Sequence, residues 1–220
     1  MSTSDSPAPR HSYLDGPPRQ VPGLAGLHRM VGLLLAERVP ANGQVLVLGA
    51  GGGMEIKALA DAHAGWRFDG IDPSREMLDL AAQTVQAHAQ RMAWHQGYID
   101  AAPSGPYDGA VSLLTFHFIA RTQRLATLQA IHRRLKPGAP LVVAHISVAE
   151  TEPERSLWLA RHVAYSATPR HEAEHTISAM RTRLSIVAPQ AEEAFLREAG
   201  FHGVELFYAG FSFRGWVAYA

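Results

Sequence analysis

The chain has 220 residues, enough for one α/β domain with a sizeable core and too few for two. With 47% hydrophobic and 18% charged residues it reads as globular, and a formal net charge of +0 supplies no global field to attract nucleic acid. The absence of cysteine excludes disulfides, a thiolate nucleophile and the usual zinc sites, and no apolar stretch reaches membrane-spanning length.

Residues 1–20 are rich in Ser, Pro and Asp and are expected to form a flexible or loosely docked arm, leaving 21–220 as a single domain. The N-terminus lacks the uninterrupted apolar core of a secretory signal. Leu24, Leu27, Val31, Leu34 and Leu35 recur at helical spacing up to Val39, where Pro40-Ala-Asn-Gly43 ends the helix. An alternation follows. Strands are predicted at Val45–Leu48, Trp66–Ile71, Arg91–Gly97, Tyr107–Thr115 and Leu141–Ser147. Helices are predicted at Met54–Ala64, Ser74–Ala89 with Ser74 as N-cap, and Arg121–Leu135, stopped by Pro137-Gly138. Such alternation implies a parallel sheet with helices on both faces.

The pattern changes at Thr151. Helical patches at Glu154–Tyr165 and His171–Leu184 read as an insertion over 151–188, which would cover a substrate. A helix at Gln190–Ala199 precedes strands at Val204–Tyr208 and Phe213–Tyr219. Their tight connection around Gly210 makes them antiparallel neighbours. The expected fold is therefore α/β and Rossmann-like: a seven-stranded sheet with an antiparallel last strand, helices on both faces and a helical insertion after strand five.

Val45-Leu-Val-Leu-Gly-Ala-Gly-Gly-Gly-Met-Glu55 reads as strand, glycine turn, helix. Glycine lets the backbone approach a ligand closely, and doubly wound sheets bind ligands at the carboxyl ends of their strands. Asp72 ends the next strand, about where an acidic residue would chelate a ribose diol. A dinucleotide fingerprint would need glycine at position 54, which is Met54. The G-x-G-x-G spacing suits S-adenosylmethionine (SAM), which has no pyrophosphate and whose carboxylate can meet backbone N–H groups at the turn.

Val45–Gly53, Gly70–Ser74, Tyr107–Thr115 and Leu135-Lys-Pro-Gly138 resemble successive motifs of the class I SAM-dependent methyltransferases. The resemblance implies cofactor contacts from Gly49, Ala50, Gly51, Gly53, Asp72, Pro73, Met77, Tyr98, Ile99 and Leu113, with Asp100 as a further candidate at the adenine. It departs at Val47, where the family often has an acidic residue that orients the turn; Glu55 is the nearest carboxylate. Val21-Pro-Gly23, the insertion, Ala199-Gly-Phe201, Glu205-Leu-Phe207 and Phe211-Ser-Phe213 are similar in arrangement to the carboxy-SAM synthase branch. Leu24 and Leu113 replace that branch's cofactor-contacting tyrosine and asparagine. Its carboxylate-gripping arginine has only Arg181 and Arg183 as nearby counterparts.

His117, after strand four, is a general-base candidate because imidazole titrates near neutrality, and His145, at the end of strand five, is a second. His162 and Tyr165 in the insertion are candidate substrate contacts. His171 and His175 share a metal-pair spacing but lack a third ligand, and Arg133, Arg134 and Lys136 suit a helix C-terminus. The expected function is methyl transfer from SAM to a small-molecule N, O or C nucleophile. The alternatives are a SAM-modifying enzyme of the carboxy-SAM type and a non-catalytic SAM-binding protein. The expectations include a cytoplasmic location, a small-molecule substrate as partner, no membrane or nucleic acid, no metal, and a homodimer as a candidate assembly.

Overall fold

The computed structural model describes residues 10–220. Helices are α1 (Arg10–Gln20), α2 (Leu24–Ala36), α3 (Met54–Ala62), α4 (Arg75–Thr84), α5 (Arg121–His132), α6 (Glu154–Tyr165), α7 (Ala173–Arg183) and α8 (Pro189–Glu198). Strands are β1 (Gln44–Leu48), β2 (Arg67–Asp72), β3 (Met92–Gln96), β4 (Gly109–Leu113), β5 (Pro140–Ile146), β6 (His202–Gly210) and β7 (Phe213–Tyr219). They form one seven-stranded sheet of order β3-β2-β1-β4-β5-β7-β6. β7 runs antiparallel to both neighbours, pairing Pro140 with Tyr219 at one end of β5 and Ile146 with Phe213 at the other. This is the expected sheet.

The strands show why helices must cover both faces. In β1, Val45 and Val47 join the apolar cluster under α2 and α3, while Leu46 and Leu48 join the cluster under α5 and α8. Successive side chains point to opposite faces, so an unbroken apolar run can be satisfied only by burial on both. β5 behaves alike, with Val142, Ala144 and Ile146 on one side and Leu141 and Val143 on the other. Ser74 caps α4 as predicted, its hydroxyl accepting from the Met77 N–H at 3.3 Å.

The N-terminal segment departs from expectation. Residues 1–9 of the expected arm lie outside the described residues, and Arg10–Gln20 is helical. Its Tyr13 and Leu14 press on the glycine turn so closely that a Cβ on Gly52 would lie 2.9 Å from Leu14 and 3.0 Å from Tyr13. Composition weighs the whole segment as too polar to fold, whereas two side chains suffice to dock it. The wall of the site therefore begins before residue 21.

The insertion contains α6 and α7 and returns to the sheet through specific bonds. The Ser185 N–H donates to the His117 carbonyl at 2.8 Å, and the Ser147 hydroxyl donates to the Val187 carbonyl at 2.8 Å. Short 3-10 turns at Ile99–Ala101 and Phe116–Phe118 follow β3 and β4. No helix of the described residues is long and apolar enough to cross a membrane.

Candidate active site

The turn after β1 is held to β2 by two bonds: the N–H groups of Gly49 and Ala50 both donate to the Ile71 carbonyl, at 2.8 and 2.9 Å. Gly49 has φ +77°, and a Cβ there would fall 2.0 Å from Thr115 Oγ1, inside the loop after β4. No side chain fits. Gly51 is different. Its φ of +46° strains any L residue, but the nearest neighbour of its Cβ would be the Tyr13 hydroxyl at 3.2 Å, so the tight contact there is with the end of one side chain of α1.

Asp72 completes the turn. Its Oδ2 accepts from the Gly51 N–H at 3.0 Å and its Oδ1 from the Ser74 N–H at 2.9 Å, which fixes the buried carboxylate against both the turn and the start of α4. A cavity of about 320 Å³ opens beside it, lined by Gly49, Gly51, Glu55, Asp72, Pro73, Met77 and Leu113. Tyr13, Leu24, His28, Thr115 and Phe118 close its other walls.

Glu55 is the unusual group in this cavity. It sits in the first turn of α3, is 8% exposed, and has no ion-pair partner among the described residues. Burial pushes its carboxyl up to about 8; its own backbone N–H pulls the other way and the charge of Asp72 adds to the rise. Tyr13 is likewise pushed up to about 12, by burial first and then by Glu55 and Asp72. Burial takes His28 down to about 4. Val47, where the family often has an acid, is fully buried in the core beneath α3. A carboxylate therefore reaches the site from the helix rather than from the strand.

A second cavity, also about 320 Å³, adjoins the first and shares Tyr13, Pro17, Leu114 and Phe118 with it. Its remaining wall includes His117, His162, Ile146 and Phe213. Among the described residues, the lining of neither cavity contains Lys or Arg, and that of the second contains no Asp or Glu.

The residues expected at the site separate into groups. Gly49, Gly51, Asp72, Pro73, Met77 and Leu113 line the first cavity. Ala50 and Gly53 shape the turn without lining it: Ala50 is fully buried, and a Cβ on Gly53 would meet the Ala81 backbone at 3.0 Å. Tyr98 is 75% exposed and Ile99 is packed in the core under α5, so neither lines the cavity, and Asp100 is exposed. The 3-10 turn after β3 swings these residues away from the cofactor side.

His117 and His162 both line the second cavity. His145 does not reach either. It alternates on β5 with Ala144 and Ile146, and so points to the opposite face, between Phe116 and Trp216, with Nε2 2.9 Å from Glu192 Oε1. Tyr165 lies outside both cavities, half exposed against Phe211. Arg181 is in a surface ion pair with Glu152 at 2.9 Å, and Arg183 is exposed. Among the described residues no group of three or more His, Asp or Glu side chains is placed to hold a metal ion.

Sequence reasoning passed over the Arg124–Glu192 ion pair behind the second cavity. Arg124 is fully buried and also donates to the Phe116 carbonyl at 2.9 Å and to the Ser185 carbonyl, so it pins the 3-10 turn carrying His117 to the end of the insertion. Its signal was spacing: Arg124, Leu128 and Ile131 share the inner face of α5.

Residues 45–138 match the methyltransferase domain family. That match covers the first four strands of the sheet and the helices between them. Carboxy-S-adenosyl-L-methionine synthase of Pasteurella multocida is 27% identical over 209 residues, covering 91% of this chain and 86% of that one. The enzyme of the same name from Klebsiella pneumoniae strain 342 is 27% identical, covering 91% and 84%. Among solved structures, an O-methyltransferase family protein from Burkholderia thailandensis superposes with a TM-score of 0.71 at 15% identity, covering 96% of this chain and 59% of that one. Human N-acetylserotonin methyltransferase in complex with SAM superposes with a TM-score of 0.59 at 16% identity, covering 96% and 55%. The methyltransferase fold is thus shared, though the chain spans little more than half the length of those two structures.

Proposed function

We propose that the chain transfers the methyl group of SAM to a small-molecule nucleophile held in the second cavity. The observation that carries this reading is the pairing of two adjoining cavities with different chemistry. The first fits SAM. Asp72, already oriented by Gly51 and Ser74, has lone pairs left for the ribose hydroxyls. Glu55 is a buried carboxyl group with no ion-pair partner among the described residues, suited to the ammonium of the methionine moiety. The open N–H groups at the start of α3 suit its carboxylate. Pro73, Met77 and Leu113 offer an apolar wall to the adenine.

SAM supplies a methyl group activated by its sulfonium, so the protein's contribution is alignment and exclusion of water. Tyr13, Pro17, Leu114 and Phe118, common to both cavities, surround the passage between them. The alternative suggested by the names of the sequence relatives, a SAM carrying an extra carboxylate, calls for a cation beside the sulfonium. No Lys or Arg among the described residues lines either cavity.

Product masses test the reading. Incubation with SAM and a panel of small hydroxyl, amine and thiol compounds should give S-adenosylhomocysteine (SAH) and a methylated acceptor in equal amounts. A SAM derivative heavier than SAM, formed with a carboxylate donor present, would replace this reading with the alternative.

A further inference from the structure

The second cavity constrains what the acceptor can be, and the inference rests on the methyl-transfer reading above. Its apolar walls are Val21, Leu114, Phe118, Ile146 and Phe213, and its polar side chains are His117, His162, Tyr13 and Gln20. An ammonium acceptor would find no carboxylate there, and a carboxylate or phosphate would find no Lys or Arg among the described lining residues. Burying either charge unpaired is strongly unfavourable.

The two imidazoles are not equivalent. His117 Nδ1 accepts from the Ile146 N–H at 3.4 Å. A neutral ring whose Nδ1 accepts must carry its proton on Nε2, so the nitrogen open to the cavity is a donor and cannot serve as a base. Burial, with the charges of Arg124 and His162 adding, takes His117 down to about 3, which keeps it neutral. Arg124 itself is held by Glu192 behind the ring. His162 Nδ1 is instead paired with the Ser212 hydroxyl at 2.7 Å, a partner that can accept as well as donate. When Ser212 accepts, His162 Nε2 is left with a free lone pair.

We propose that the acceptor is an uncharged hydroxyl compound with a flat apolar body, its oxygen receiving a hydrogen bond from His117 Nε2 and giving its proton to His162 Nε2. In the step, the new O–C bond to the methyl forms as the C–S bond breaks. That electron pair returns to sulfur, leaving a neutral thioether, and the hydroxyl proton passes to His162, so the positive charge lost at sulfur reappears on an imidazolium whose Nδ1–H donates to Ser212. His117 is thereby reassigned from base to positioning donor.

The test uses the full chain saturated with SAH and three aromatic probes of equal size: 2-naphthol, 2-naphthoate and 2-(aminomethyl)naphthalene. Naphthol should bind at least about tenfold more tightly than either charged probe. Gly16 lines this cavity and a Cβ there meets nothing within 4 Å, so Gly16→Phe can be introduced at the wall and should weaken naphthol binding at least about tenfold while SAH affinity is kept. Equal or tighter binding of a charged probe, no binding of any probe, or naphthol binding unaffected by Gly16→Phe overturns the assignment. With SAM, His162→Gln should lower kcat at least tenfold near neutral pH and recover it as naphthol ionises at high pH, whereas His117→Gln should chiefly raise KM. The reverse split overturns the two roles. Should naphthol bind as expected in the presence of SAH yet never be methylated, methyl transfer itself fails while the cavity assignment stands.

Discussion

Asp72 Oδ2 accepts a hydrogen bond from the Gly51 N–H at 3.0 Å, which locks the end of β2 to the glycine of the turn whose Cβ would meet the Tyr13 hydroxyl of α1. The same carboxylate is placed to meet the ribose of SAM. Asp72→Ala should weaken SAM binding at least tenfold by calorimetry, through loss of charge-assisted bonds. Unchanged affinity in a folded variant would remove Asp72 from the site.

Glu55 links cofactor binding to protons. Its carboxyl is held near 8 by burial in the free protein, so at pH 7 it is mostly protonated. Pairing with the ammonium of SAM requires the ionised form, and binding should release about one proton at pH 7. Calorimetry in buffers of different ionisation enthalpy reads this number directly, and Glu55→Gln should bring it close to zero. The stability consequence has a definite sign. Because the folded value lies above the unfolded one, the contribution is fully present below about pH 4.5 and is lost as pH rises through about 8. The melting temperature of the free protein should therefore fall between pH 6 and 9 more steeply than that of Glu55→Gln, and saturating SAM should reduce the difference.

Two glycines of one turn should fail differently. Gly49→Ala drives a Cβ into Thr115 and should destabilise the fold by about 1–3 kcal/mol, with loss of SAM binding as a consequence. Gly51→Ala strains the backbone but meets only the end of Tyr13, so it should shift affinity more than melting temperature. Thermal melts and calorimetry on both variants separate the effects. Similar melting temperatures would contradict the Thr115 contact.

The buried Arg124–Glu192 pair should be a stability determinant out of proportion to its size. Removing one partner strands the other charge, so Arg124→Ala or Glu192→Ala should destabilise by about 3–5 kcal/mol. Arg124→Met combined with Glu192→Leu should cost less than either single change. Denaturant unfolding measures all three, and a double variant as unstable as the sum of the singles would show that the pair does not act as a unit.

The cofactor half of the site was legible because it is local. One strand, one turn and the next strand's end carry Gly49, Gly51 and Asp72, and their spacing is set by backbone geometry. The second cavity was not, because its residues come from five distant segments. His145 illustrates the difficulty. All of Pro140–Ile146 is buried, so hydrophobic alternation carries no information about which face each residue takes, and the face decides between site and core. Tyr13 was hidden for another reason: its segment is polar on average, and only its docking on Gly52 makes it part of the site. Arg124 is a charged residue in a polar stretch of sequence, and only the packing of α5 turns it inward.

Native mass spectrometry of the full chain offered equal concentrations of SAM and NAD tests the cofactor assignment most directly. SAM should be retained by the wild-type protein and lost from Asp72→Ala, with no NAD adduct above background. Retention of NAD, or SAM held equally by both proteins, would contradict a SAM site built on Asp72 and the glycine turn.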